Sequence, residues 1–174
     1  MAKALLFSKV NVRKGFSNIH IKEGDEWKAA FKMNRGLFEP TVMFFGLTNS
    51  PSTFQSMMDT IFKDLILTGE VVIYMDNILI ATPDNLIHHQ RLVHRVLDRL
   101  EEHNLYLMPK NCVFEVQEVE FLGVILGHGQ VRMDPVKVQG ILDWPIPLNL
   151  KDVHSFLGFY SFYRWFIKGF ATLA

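Results

Sequence analysis

A chain of 174 residues, 49% hydrophobic with 15 Phe and 8 Met, is long enough to bury one substantial core and carries no low-complexity or strongly charged tract. Its 18 basic residues balance its 18 acidic ones, so the overall basic excess of a protein that grips phosphates is absent and nucleic-acid binding would need a local patch. The single Cys112 excludes intrachain disulfides and thiolate zinc clusters, and the longest apolar run, about residues 71–81, is too short to cross a bilayer and is broken by Asp76-Asn77.

Leu5 to Val12 reads as a strand. Asn18 to Lys22 and Trp27 to Met33 alternate as two further strands joined by the turn Glu23-Gly24-Asp25, and Asn34-Arg35-Gly36 marks another turn. Ser50 caps a helix with Pro51 at its first position, and Phe54, Met57, Met58, Ile61, Phe62 and Leu65 recur at helical spacing until Gly69. An apolar hairpin follows, Val71 to Ile80, with Asp76-Asn77 as its turn, because Asp and Asn tolerate unusual backbone angles. Thr82-Pro83-Asp84 opens a long helix with an apolar stripe of Leu86, Val93, Val96, Leu97 and Leu100, closed by Asn104.

Short strands are predicted at Tyr106–Leu107, Val113–Phe114, Val119–Leu126 and Gln130–Met133, the last two joined by Gly127-His128-Gly129. Asp134-Pro135 starts a helix that Trp144-Pro145 ends. Asn149 caps a final helix from Leu150 to about Lys168, with an aromatic face of Phe156, Phe159, Tyr160, Tyr163 and Phe166 expected to be buried. Two long helices interleaved with antiparallel strands predict an α+β fold.

Few polar clusters compete for a function. His88, His89 and His94 lie on one predicted helix without the four-residue spacing of metal ligands, and are expected on a solvated face. Basic residues gather only loosely, at Lys9, Arg13 and Lys14, at Arg91, Arg95 and Arg99, and at Arg164 and Lys168. The first residues, with Lys3 and Lys9 around a short apolar patch, show no secretory pattern, so an intracellular protein with no membrane partner is expected.

The segment Tyr74-Met75-Asp76-Asn77 between apolar strands is, by itself, more often an ordinary hairpin than an active site. Three further segments occur with it in order: Leu6 to Phe16 with Ile19 to Phe31, Phe44-Phe45-Gly46-Leu47-Thr48-Asn49-Ser50-Pro51 to Gln55, and Phe121-Leu122-Gly123. Ser155-Phe156-Leu157-Gly158, Tyr163-Arg164 and Phe166-Ile167 continue the pattern. Together they resemble the reverse transcriptase of Ty3/gypsy-type long-terminal-repeat retrotransposons over nearly the whole chain.

That resemblance implies a polymerase palm, an open antiparallel sheet backed by two helices, with part of the fingers over residues 1–129. A partial helical thumb would then begin over residues 130–174. It also implies RNA or DNA template–primer and deoxynucleotides as partners, Mg2+ or Mn2+ as cofactor, and open strand edges through which the chain can self-associate. By the same resemblance Phe16, five residues after Asn11, is the aromatic gate beneath the sugar. Phe45 and Gly46 line the incoming nucleotide, and Phe121, Leu122 and Gly123 grip the primer.

The metal site departs from the family. Asn11 and Asn77 stand where the family has acidic residues, leaving Asp76 alone of three carboxylates. Two-metal transfer needs ions about 4 Å apart held by hard anionic oxygens. At an effective dielectric of about 20, each charge–ion contact near 4 Å is worth on the order of 4 kcal/mol before desolvation. Two amides keep the shape and remove two charges, so impaired catalysis is the expectation. Two alternatives stay open at this level: an active polymerase using Asp76 with amide ligands, and a non-catalytic structural or binding relic of a retrotransposon.

Overall fold

The computed structural model describes residues 4–173. They group into two compact units, one running to Gln117 and the other beginning at Glu118. In chain order the first unit contains β1 (Leu6–Asn11), β2 (Phe31–Met33), β3 (Gly36–Phe38), α1 (Ser50–Ile61), α2 (Lys63–Ile66), β4 (Val71–Tyr74), β5 (Asn77–Thr82), α3 (Leu86–Glu102) and β6 (Val113–Val116).

β4, β5, β1 and β6 lie side by side in that order as an antiparallel sheet, with β1 and β5 at its centre. The central pair is almost wholly buried, which is why both strands read as near-continuous apolar runs. Strand alternation sends Val10, Ile78 and Ile80 to the face covered by helices. There they meet Phe54 and Met58 of α1, Phe62, Leu65 of α2, and Leu92, Val93, Val96 and Leu100 of α3. Each such side chain contributes about 1.5–3 kcal/mol on burial. The expected architecture, an open antiparallel sheet backed by two helices, is the one observed. By the same alternation Asn11 and Asn77, cross-strand partners in the β1–β5 register, sit on the other face.

Several local expectations give way to tertiary context. The β4–β5 turn is Met75-Asp76, not Asp76-Asn77, because Tyr74 pairs with Asn77, which already belongs to β5. The strained angle accordingly falls on Met75, at φ 57°. Residues 18–22 do not pair with 27–33; they run beside 41–43, with Ile21 N–H donating to Thr41 O and Met43 N–H to Ile19 O. Glu26–Ala29 is a 3-10 turn, and only Phe31–Met33 remains a strand, paired with β3. Alternation marks extended chain without naming its partner. Asn49, not Ser50, occupies the cap position of α1, while the Ser50 hydroxyl donates to Phe44 O.

His89 is the largest correction. It is fully buried rather than solvated, and continues the stripe of Leu92, Val93, Val96 and Leu100, whereas Leu86 is exposed. Its Nε2 lies 2.8 Å from Ser8 Oγ and its Nδ1 2.7 Å from Thr82 Oγ1. Ser8 Oγ also accepts the Glu115 N–H at 3.0 Å, so one polar cluster joins α3 to β1, β5 and β6. Burial pushes the His89 imidazole below its ordinary pKa, which keeps it neutral. His88 remains exposed beside Glu70, and His94 is exposed. Of the loose basic groups, Arg95 and Arg99 pair with Asp64.

The second unit is a meander of β7 (Glu118–Phe121), β8 (Val124–Gly127) and β9 (Gln130–Met133), followed by α4 (Pro135–Leu142), α5 (Leu150–Phe162) and α6 (Phe170–Leu173). The single strand expected over 119–126 is a hairpin, since Leu122 and Gly123 both take positive φ and reverse the chain. Asp134 and Asn149 cap α4 and α5 through their side chains as predicted. α5 ends at Phe162, well short of Lys168, and a 3-10 turn follows. Of its predicted aromatic face only Tyr163 is buried; Phe166 is exposed and the others are half-buried. No helix among the described residues is long and apolar enough to cross a membrane.

Candidate functional site

A cleft of about 440 Å³ opens in the first unit where β1 ends beside the β4–β5 turn. Asn11, Phe16, Phe45, Asp76 and Asn77, predicted from separate segments, all line it. Gly46 follows Phe45 at φ 106°, an angle that favours glycine. Phe121, Leu122 and Gly123 lie in the second unit, at the β7–β8 turn.

The polar floor is a closed triangle. Asn11 Nδ2 donates to Asp76 Oδ2 at 2.9 Å and to Asn77 Oδ1 at 3.1 Å, and Asn77 Nδ2 donates to Asp76 Oδ1 at 3.1 Å. The reverse orientation of the Asn11 amide would face its oxygen to the Asp76 carboxylate, acceptor against acceptor, so the network selects the one described. Asn11 is 9% exposed, while Asp76 and Asn77 are half-buried. The Val12 N–H adds a backbone bond to Asp76 O at 2.8 Å.

The wall is aromatic. Phe16 meets Phe45 edge-on at 4.8 Å between ring centroids and Phe54 at 5.6 Å. Gly15 is required there, since a Cβ on it would come within 2.5 Å of the Phe54 ring. Phe45 is 84% exposed, so its ring is open to the cleft on the side away from Phe16. Ser50, buried at the start of α1, fixes the preceding loop through its bond to Phe44 O.

Gln55 is the functional side chain that motif reading passed over. From α1 its Oε1 accepts the Met75 N–H at 2.6 Å, while its Nε2 donates to Ile73 O and Asp59 Oδ1. It thereby holds the strained turn that presents Asp76. Its place at the end of the Phe44–Gln55 segment was visible in the sequence, but its target lies 20 residues away.

The arrangement does not suit two divalent cations. Magnesium wants several anionic oxygens, and here the Asp76 carboxylate already accepts two amide hydrogens. Among the described residues no group of three or more His, Cys, Asp or Glu side chains could hold a metal ion.

Residues 1–126 match the family described as reverse transcriptase (RNA-dependent DNA polymerase). The chain belongs to that family. It is 34% identical over its whole length to the retrovirus-related Pol polyprotein from transposon 297 of Drosophila melanogaster, covering 16% of that polyprotein. The polyprotein from transposon gypsy of the same organism is also 34% identical over the whole chain, with 17% of its length covered. A transposon Tf2-7 polyprotein of Schizosaccharomyces pombe is 33% identical over 93% of the chain and 12% of its own length. These relatives place this reverse transcriptase domain with the Ty3/gypsy type, and the chain spans about a sixth of the length of the first of them.

The same fold occurs in the foamy viral protease–reverse transcriptase. One structure, in complex with RNA/DNA hybrid, superposes with a TM-score of 0.84 at 23% identity, over 93% of this chain and 22% of that one. Another, in complex with double-stranded DNA, gives 0.89 at 23% identity over 98% and 29%. At that identity the likeness speaks for the fold.

Proposed function

We propose that residues 1–129 are the palm and part of the fingers of a retrotransposon reverse transcriptase, that residues 130–174 begin its thumb, and that nucleotidyl transfer is impaired at the metal site. One observation carries the reading. Where the family has three carboxylates this cleft has one, and both of its oxygens are engaged by the amides of Asn11 and Asn77.

In this reading Asp76 is the remaining catalytic carboxylate, with Asn11 and Asn77 at the lost positions. Phe16 lies beneath the sugar of a deoxynucleotide and Phe45-Gly46 flank its base; the edge-on Phe16–Phe45 pair on the cleft wall supports both roles. Phe121-Leu122-Gly123 hold the primer terminus, and RNA or DNA template–primer is the macromolecular partner. The nucleic acids held by the foamy viral enzymes of the same fold support that partner. Mg2+ or Mn2+ is the cofactor of the family's chemistry, and here Asp76 alone offers it a charge. β4 and β6 are the edges of the sheet, and exposed Val113 and Phe114 on β6 favour self-association there. The setting is intracellular.

The test is primer extension on an RNA template with deoxynucleotides, in Mg2+ and in Mn2+ separately. The chain is compared with its Asn11→Asp/Asn77→Asp and Asp76→Ala variants. Extension by the double variant alone is the expected result. Extension by the unaltered chain that Asp76→Ala abolishes would mean that the amides serve as ligands and the impaired reading is wrong.

A further inference from the structure

The triangle of Asn11, Asp76 and Asn77 does more than lack charge. Asn11 ends β1, Asp76 lies in the β4–β5 turn and Asn77 opens β5, so two of the three bonds tie β1 to the hairpin and the third closes the hairpin on itself beside the strained Met75. Each carboxylate oxygen of Asp76 receives one amide hydrogen, and hydrogen bonds to an ionised acceptor are the stronger kind. For both amides to turn their oxygens toward a cation, Asn11 must give up both of its donations and Asn77 its one. Three carboxylates in the same places would repel one another and need a cation or shared proton to stay together.

We propose that the two asparagines convert this position into a metal-independent clasp, which closes the hairpin tip onto β1 by itself and excludes divalent cations from the place the family reserves for them. The clasp itself rests on the hydrogen-bond geometry, while its identity with the family's metal position rests on the function proposed above. It is read by a structural measurement, so it can fail separately from the polymerase reading.

The measurement is hydrogen–deuterium exchange over residues 71–82 of the full chain at neutral pH, in EDTA, in millimolar Mg2+ and in millimolar Mn2+. Exchange of the unaltered chain is expected to be the same in all three. In EDTA, Asn77→Asp is expected to exchange faster, and Asn11→Asp, which loses two bonds, faster still, by about tenfold or more over the unaltered chain. The Asn11→Asp/Asn77→Asp variant is expected to be slowed again by Mn2+ in a saturable way. Should Asn11→Asp not fold, Asn77→Asp alone still carries the comparison, since it keeps a donation from Asn11 to Asp76. Saturable protection of the unaltered chain by either cation overturns the inference. So does unchanged exchange of Asn77→Asp in EDTA, or a double variant indifferent to cations.

Discussion

β4–β5 turns through Met75-Asp76 and β7–β8 through Leu122-Gly123, two-residue reversals of the same length held by opposite means. In the first, positive φ falls on a methionine at 57°, a conformation that costs a side-chain-bearing residue about 1–2 kcal/mol. Long-range polar contacts hold it: Gln55 from α1, and Asn11 from β1 through the clasp. In the second, φ is 50° at Leu122, at a similar cost, and 83° at Gly123, where glycine adopts it freely, the two-positive sign pattern of a type I′ hairpin. Its support is sequence-near or single: Glu120 accepts the Gly123 N–H at 2.9 Å, and the Tyr163 hydroxyl donates to Gly123 O at 3.3 Å. Tyr163 stays a donor at neutral pH, because its burial, with the charges of Asp134 and Glu120, raises its pKa further. A turn built by its own residues needs little help, whereas a turn that presents a particular carboxylate is imposed from outside.

Four substitutions test that contrast. Phe54→Ala removes the ring on which Gly15 and Phe16 rest, and is expected to cost about 3–5 kcal/mol in chemical denaturation. A loss below about 1 kcal/mol would mean that the ring supporting Gly15 and Phe16 contributes little to the core of the first unit. Gln55→Leu leaves the Met75 N–H without its partner and should cost about 1–3 kcal/mol, with faster amide exchange at residues 73–77. Unchanged exchange there would mean that the turn holds itself.

At the other tip, Gly123→Ala places a Cβ at φ 83° and 3.4 Å from the Phe162 ring, with an expected cost of about 1–2 kcal/mol. A neutral result by thermal denaturation would show that this turn does not depend on glycine. Tyr163→Phe deletes one bond to a carbonyl and should cost only about 0.5–1.5 kcal/mol. If it cost as much as Gln55→Leu, the two tips would be equally dependent on distant residues and the comparison would fall.

Much of the fold was legible in the sequence. The stripes of α1 and α3, the caps at Asp134 and Asn149, and the apolar hairpin through residue 76 depend on local periodicity and local hydrogen bonds, whereas the cap of α3 proved to be Asn85 rather than a residue of Thr82-Pro83-Asp84. His89 was legible too in principle, since it lies on the same stripe as Leu92, Val93, Val96 and Leu100. A polar residue type concealed it, and only Ser8 and Thr82 from two strands make its burial tolerable. The motifs likewise identified Asn11, Phe16, Phe45, Asp76 and Asn77 as one set before any distance was known.

By itself, then, the sequence determined the family, the sheet with its two helices, and the presence of amides at positions 11 and 77 beside Asp76. Only the tertiary structure decided that residues 19–21 run beside 41–43, that the turn sits on Met75-Asp76, that Gln55 braces it, and that the amide hydrogens point at Asp76. The physical reason is range. Periodicity and caps are settled within a turn or two of chain, while strand partners and amide orientations are set by groups tens of residues away.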